Sequence, residues 1–391
     1  MSEAVIVDVV RTPIGRGKPV VGDLSGVHAV KLLAESYRAL VERNGLDYAD
    51  IEQAYSGCVT QAGEQSNNMA KNAWLQLGQA YTAGCSTIDT QCGSAQAANH
   101  LMSALIQAGQ VNIGIAGGVE AMSRVGLGAS AIHGPGYFIP DDWPHPSAAA
   151  SQFEAAERIA NKRGITRLDI DELACESHRR AIAAWDAGWF PQVIDVEAPI
   201  LGEDGEPTGE TKTVSRDQGM RETTMEGLAQ LKVMAEGGIH TAGTSSQVSD
   251  GSAAVLWMSA EEARARGLKP RARIIQGVVA GTDPYYLLDG PVDATHLLFK
   301  KTGMTMSDID VVEINEAFAA VVLSWQREFD ADMSKVNCKG GAIALGHPVG
   351  STGARLIGEA VCELERQDKN IALVTMCCGA SNGTGTIIER I

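Results

Sequence analysis

Four side chains in this sequence have types and settings suited to nucleophilic chemistry. Cys92 follows the strand-like run Ser86–Thr90 and precedes Gly93-Ser94-Ala95 and a helical pattern reaching about Gln107. That setting puts a thiol at a helix N-terminus, where the macrodipole and free N–H groups favour thiolate and backbone amides can cradle an oxyanion. The plainer reading of a single cysteine is a small core hydrophobe. Cys377 closes the apolar run Ile371–Met376 and leads into Cys378-Gly379-Ala380-Ser381-Asn382-Gly383. A glycine-rich turn beside a strand-end thiol leaves room for a ligand carbonyl near backbone N–H groups. Because successive strand residues face opposite ways, only one of Cys377 and Cys378 can face a given pocket. His347 lies in Gly346-His347-Pro348-Val349-Gly350, and imidazole is the side chain suited to taking a thiol proton near neutral pH. A solvated loop histidine is the bland alternative. Asn315 leaves the strand-like Asp310–Ile314, where an amide can hold a water, orient a carbonyl or simply cap a turn.

Elements must hold these groups together. Short β-rich runs such as Ala4–Val10 alternate with helical patterns such as Val27–Val41, which predicts a mostly parallel sheet covered by helices. An internal repeat sharpens this. Gly45-Leu46 precedes Asp50-Ile51-Glu52 at the spacing with which Gly303-Met304 precedes Asp308-Ile309-Asp310. The next apolar strand begins 62 residues after Ile51 at Ile113, and 63 after Ile309 at Ala372; Cys92 stands at +41 in the first copy and His347 at +38 in the second. Two α/β halves would then place a Cys-bearing and a His-bearing turn in related positions. The segment 122–243 reads as an insertion: Val125–Ala150 scatters His133, Tyr137, Phe138, Trp143 and His145 without a sustained period. A helical pattern follows at Gly164–Gly188 and a turn-rich hairpin at Gly202–Thr213.

Composition removes several classes of function. The net charge of −16, without a basic run longer than a pair, disfavours nucleic acid and anionic membranes, and sparse aromatics disfavour base stacking. Any anionic ligand must be held by local donors. Eight cysteines without paired CxxC units point to free thiols rather than a disulfide scaffold or a metal site. The opening MSEAVIVDVVRTPIG reads as neither signal nor transit peptide, no run is long enough to span a membrane, and the closing Ile-Ile-Glu-Arg-Ile carries no lipid or peroxisomal tail, so a cytoplasmic protein is expected.

Taken together, Cys92 in its C-G-S-A-Q segment, Asn315-Glu316-Ala317-Phe318, Gly346-His347-Pro348 with Gly350, and Cys377-x-Gly379 resemble the four signature blocks of the thiolases, in the family's order and spacing. The likeness runs from Arg11-Thr12-Pro13-Ile14-Gly15 through Gly117-Gly118-Val119-Glu120-Ala121-Met122-Ser123 to the C-terminus. It implies the α/β thiolase fold: two duplicated βαβαβαββ-type halves stacked as α-β-α-β-α layers, with residues 1–121 and 244–268 as the first half, 122–243 as an inserted loop domain, and 269–391 as the second half. It implies cleavage of 3-oxoacyl-CoA by CoA through a ping-pong acyl-enzyme. Cys92 would be the nucleophile, His347 its base, and Cys377 the general acid/base. His347 with a water on Asn315 would form one oxyanion hole, and the N–H groups of Cys92 and Gly379 the other. Asp217-Gln218-Gly219-Met220-Arg221 and Thr241-Ala242-Gly243-Thr244-Ser245-Ser246 resemble the blocks that hold CoA, with Arg221 at its nucleotide end and Ser246 on the pantetheine arm. The resemblance implies no prosthetic group and no metal, coenzyme A as a substrate, and a homodimer or homotetramer.

The sequence departs from the family pattern at three places. Gly379-Ala380-Ser381 stands for Gly-Gly-Gly, Gln247 for the glycine after the pantetheine serine, and Gln152-Phe153 for the His-Met of short-chain enzymes. These, with Gln65-Ser66-Asn67-Asn68 and Tyr285-Tyr286-Leu287-Leu288-Asp289-Gly290-Pro291, are most similar to bacterial thiolases of sterol side-chain degradation. Three alternatives stand beside this reading: a biosynthetic acetoacetyl-CoA-forming thiolase, a ketosynthase-like condensing enzyme, which would pair its cysteine with two histidines, and a CoA-binding protein without catalysis.

Overall fold

A computed structural model describes residues 2–132 and 134–391; His133 lies outside the described residues. The first half runs β1 (Ala4–Arg11), β2 (Gly15–Arg16), α1 (Ala29–Arg43), β3 (Gln53–Gly57), α2 (Met69–Gln76), β4 (Gly84–Ile88), α3 (Ser94–Gln107) and β5 (Ile113–Ala121). Then come α4 (Ala129–Ile132), α5 (Gln152–Arg163), α6 (Arg167–Asp186), β6 (Val196–Leu201), β7 (Pro207–Val214) and α7 (Met225–Ala229), before β8 (Ser249–Ser259) and α8 (Ala260–Ala265) return to the first sheet. The second half is β9 (Ala272–Gly281), α9 (Gly290–Thr302), β10 (Val311–Ile314), α10 (Ala319–Phe329), α11 (Ala342–Leu345), α12 (Thr352–Gln367), β11 (Ile371–Cys378) and β12 (Asn382–Arg390).

Strand order runs β10-β11-β12-β9-β1-β8-β5-β3-β4, so the second half repeats the first in mirror order about the β9/β1 contact. That contact is a single residue pair, Ile6 with Ala272. The expected mostly parallel sheet is corrected to a mixed one: strand pairing is parallel where a helix crosses over, at β3/β4, β3/β5 and β10/β11, and antiparallel at the other strand pairs, because β1, β8, β9 and β12 join the sheet without such a crossover to their neighbours. Helices α3 and α12 each pack against strands of both halves and against each other, while α1 covers β1, β5 and β8 from one side and α9 covers β9, β11 and β12 from the other. This is the five-layer α-β-α-β-α stack. As the middle layer, α12 is buried at every position from Thr352 to Leu364, charged residues included.

Two local differences from expectation have physical causes. Helix α1 begins at Ala29 rather than Val27, because His28 Nδ1 accepts the Val30 N–H at 3.2 Å and caps the first turn. In the second half the counterpart of β4 shrinks to one bridge, Val312 with Val336. There Asn337 adopts a left-handed backbone (φ +46°) and its amide pairs with both Ile314 N–H and Ile314 C=O, so this segment braces the end of β10 instead of extending the sheet. The stretch 125–150, expected to lack a period, has turns and only the four-residue α4 among its described residues. Helices α5 and α6, although inserted in the first half, pack on α10 and α11 of the second.

Candidate active site

The first turns of α3 and α12 touch: a Cβ on Gly353 would lie 2.3 Å from the backbone nitrogen of Gln96. Both helices therefore aim their positive N-terminal ends at one region. Cys92 precedes α3, separated from it by Gly93, and His347 lies one turn before α12. Gly93 is required by space, since a Cβ there would lie 2.6 Å from Cys378 Sγ and from Thr384 Cγ2. The nucleophile candidate is thus clamped against the β11–β12 turn of the other half. Gln96 completes the clamp: its amide donates to Val374 O and Thr386 Oγ1 and accepts from Thr384 Oγ1.

All four candidate groups are buried, with exposures of 8% for Cys92, 4% for His347, 1% for Cys377 and 0% for Asn315. Burial pushes the Cys92 thiol up to about 11, against the lowering effect of the Gly379 and Cys92 backbone N–H groups. The expected thiolate is therefore corrected: desolvation outweighs the helix terminus, and the resting group is a thiol. The Cys377 thiol is also raised, by burial first and then by its neighbours Cys92 and Cys378. The two adjacent cysteines do separate, as strand alternation requires: Cys378 joins the central core with Cys92 and Ala95, whereas Cys377 packs with Phe318, Leu288 and the α5 residues Ala155, Ala156 and Ile159.

His347 is held at both ring nitrogens. Its Nδ1 lies 2.6 Å from Thr352 Oγ1, and the amide nitrogen of Asn315 lies 3.3 Å from its Nε2. Thr352 gives its hydroxyl hydrogen to Pro348 O at 2.9 Å, so it must accept from Nδ1–H, which assigns the imidazole lone pair to Nε2. Burial, with help from Arg355, holds the imidazole down to about 3, so it is neutral. Asn315 is fixed by its own N–H to Thr375 O at 3.1 Å and leaves Oδ1 buried without a partner among the described residues. The next residue, Glu316, accepts from Ser177 Oγ, Asn337 Nδ2 and Ile343 N, bracing the turn that carries His347. Glu120 plays a similar part in the first half, accepting from Val59 N, Thr60 N and Gln65 Nε2, with the Gly350 N–H also on it. Sequence reading missed Thr352, Gln96, Glu120 and Glu316 as positioning groups, although Gln96, Glu120 and Glu316 lie inside the quoted motifs.

Ser246 donates its N–H to Ala317 O, and His347 N–H reaches Gln247 O and Ser249 Oγ, so the 246–249 segment runs between the Asn315 and His347 turns. Gln247, which departs from the family pattern, uses its amide to bridge the carbonyls of Gly219, Ile343 and Ala344. Arg221 lies beyond Gly219, exposed, with its N–H on His178 Nδ1 at 3.4 Å. Phe153 packs edge-to-face on Phe318 with centroids 5.0 Å apart, next to Cys377 in the same cluster. Among the described residues no helix is long and apolar enough to cross a membrane.

Two family models cover the chain: Thiolase, N-terminal domain, over residues 4–261 and Thiolase, C-terminal domain, over 268–390. The chain is 40% identical to the steroid 3-ketoacyl-CoA thiolase FadA6 of Mycobacterium tuberculosis, covering 100% of this chain and 95% of that protein. It is 41% identical to the 3-ketoacyl-CoA thiolase of Cronobacter sakazakii, with full coverage of both at 100%. The acetyl-CoA acetyltransferase of Bacillus anthracis superposes with a TM-score of 0.88 at 32% identity, covering 100% of this chain and 99% of that one. The chain belongs to the thiolase family of acyl-CoA acyltransferases, whose members take CoA as a substrate and use no prosthetic group.

Proposed function

We propose that the protein cleaves 3-oxoacyl-CoA esters with CoA, releasing acetyl- or propionyl-CoA and the shortened acyl-CoA. The observation that carries this reading is the convergence of Cys92, His347, Asn315 and the Cys377–Gly379 turn at the paired N-termini of α3 and α12. Cys92 Sγ attacks the 3-oxo carbon as its proton passes to His347 Nε2. Because thiol and imidazole both rest neutral, proton transfer accompanies bond formation. The oxyanion formed on the 3-oxo carbon faces the backbone N–H groups of Cys92 and Gly379, which point at the Cys92 sulfur. The Nε2–H of the protonated ring, with a water held on Asn315, serves the thioester oxygen of the departing enolate. As the carbon–carbon bond breaks, the Cys377 thiol delivers its proton to the departing carbanion, leaving an acyl group on Cys92. CoA thiol then gives its proton to the Cys377 thiolate and attacks that thioester; the bond from Cys92 Sγ to the acyl carbon breaks, and Cys92 takes back the proton held by His347, releasing the shortened acyl-CoA and restoring the resting enzyme.

Arg221 and Ser246 are proposed to hold the nucleotide end and the pantetheine arm of CoA, and segment 122–243 is proposed as the inserted domain that frames the acyl group. A sterol side-chain acyl group is the proposed class, supported by the named activity of the Mycobacterium tuberculosis relative, by the Gln152-Phe153 departure and by the resemblance of the Tyr285–Pro291 segment. A homodimer or homotetramer working in the cytoplasm completes the proposal, on resemblance alone. The test is CoA-dependent thiolysis of acetoacetyl-CoA against a 3-oxoacyl-CoA bearing a sterol side chain. A higher kcat/KM for the sterol ester supports the full reading, preference for acetoacetyl-CoA overturns the acyl class, and turnover of neither overturns the mechanism.

A further inference from the structure

CoA carries several phosphate charges, and this chain has a net charge of −16, so the ligand must meet cations that the protein has left unspent. Among the described arginines, all but Arg16, Arg221 and Arg264 lie in salt bridges with carboxylates. Two of those three are neighbours. Arg16 is the last residue of β2 and pairs with Ser249 of β8, beside the Ser246–Gln247 segment that separates it from His347. Its N–H is held at 2.9 Å by the side chain of Gln218, three residues before Arg221. Gln218 also takes the Asp23 N–H and donates to Val21 O, so one amide fixes the whole 16–23 loop over the 217–221 segment. Both guanidinium groups are exposed, and Arg221 makes only one long contact, 3.5 Å to Gly219 O.

Of the acids on these two segments, Asp217 and Asp23 are already engaged elsewhere, while Glu222, next to Arg221, is exposed and makes no salt bridge among the described residues. Asp217 is bound bidentately by Arg11 and also accepts from Trp185, and Asp23 is paired with Lys212. Lys18, on the same loop as Arg16, is exposed and makes no salt bridge among the described residues. Like charges held close without a counter-ion are unfavourable unless an anion joins them; Arg221 is lowered first by partial burial and then by the nearby Arg16. We infer that Arg16 joins Arg221 to form one subsite for the phosphates of CoA, and that this subsite selects CoA over thiols lacking the nucleotide. The inference rests on the reading that Arg221 meets the nucleotide end of CoA.

The experiment compares CoA with pantetheine as the thiol acceptor in thiolysis, using wild type, Arg16→Gln and Arg264→Gln. Arg264, the third unpaired arginine, sits on α8 and is exposed, outside every group assigned a role in binding or catalysis. Arg16→Gln is expected to raise KM for CoA about tenfold, the usual scale for a lost charge-assisted bond. The loss should reside in KM rather than kcat, vanish with pantetheine, and leave a flatter dependence of KM on ionic strength. Arg264→Gln should match wild type. Titration calorimetry of CoA binding to Arg16→Gln gives a second readout, and a matching loss of affinity supports the subsite. A KM for CoA within about twofold of wild type, or an equal rise with pantetheine, overturns the role of Arg16 while the Arg221 reading stands. Wild-type enzyme that uses pantetheine as well as CoA overturns both.

Discussion

His347 Nδ1 and Thr352 Oγ1 lie 2.6 Å apart, and the threonine hydroxyl is already committed to Pro348 O. One side chain thereby decides which imidazole nitrogen carries the proton and which keeps the lone pair that faces Asn315. Thr352→Val removes that acceptor and should lower kcat/KM for thiolysis by about 10- to 100-fold, the scale of lost partners that orient a functional imidazole. Thr352→Ser should restore most of it. Ring-nitrogen chemical shifts of His347 check the tautomer directly; an unchanged spectrum and rate in the valine variant would refute the assignment.

The pH dependence follows from burial. His347 is held to about 3, and His100 and His178 to about 4, each chiefly by desolvation. In the unfolded chain all three take up protons near pH 6.5, before the folded protein does. The stability these three neutral imidazoles contribute is therefore full above about pH 6.5 and is lost toward pH 4, while the raised carboxyls of Asp250, Glu120, Glu313 and Glu316 act in the opposite sense. Thermal denaturation across that window should show a smaller fall of Tm toward pH 4 in His100→Gln than in the unsubstituted protein. Over the part of the window where the fold persists, kcat/KM should lack the acid limb that an ordinary histidine base places near 6.5.

Gly93→Ala tests the clamp between the halves. The added methyl meets Cys378 Sγ and Thr384 Cγ2 at 2.6 Å, where the neighbours are a strand thiol and a threonine already tied to Gln96. A loss of about 1–3 kcal/mol in unfolding free energy is expected, the usual cost of overpacking, together with slower acylation of Cys92. Denaturant unfolding and a mass assay for the acyl-enzyme read the two effects separately.

The turn between β11 and β12 holds Ala380 and Ser381 at φ +58° and +57°, where a side chain is strained. Ala380→Gly and Ser381→Gly should each raise stability by about 1 kcal/mol by relieving that strain, less what glycine costs in the unfolded chain. Calorimetric melting checks this, and a lower Tm in either variant would refute it.

Cys377→Ala separates the two thiols. Cys92 should still become acylated by an acyl-CoA donor, seen as a mass increase on its peptide, while thiolysis of 3-oxoacyl-CoA falls by at least the 10²–10⁴-fold usual for a lost general acid or base. Thiolysis at the wild-type rate would remove Cys377 from the mechanism.

Several features were legible in the residue order because they are local. A thiol before a helix start, an asparagine at a strand end and a histidine between glycines each depend on neighbours within a few positions, and the repeat at matched spacing implied two halves. Even the division of labour between Cys377 and Cys378 follows from strand alternation. The groups that aim those side chains are of another kind. Gln96 meets Thr384 and Thr386, and Arg16 meets Gln218, across hundreds of residues of chain, and no periodicity announces such pairs. The ionisation of Cys92 was misjudged for the same reason: a helix N-terminus is visible locally, but desolvation is the sum of everything the tertiary fold packs around the sulfur. The sequence by itself determined which groups can react and in which elements they sit. Tertiary structure alone decided their protonation states and mutual aim, because both depend on burial and on contacts made only when the two halves close on α3 and α12.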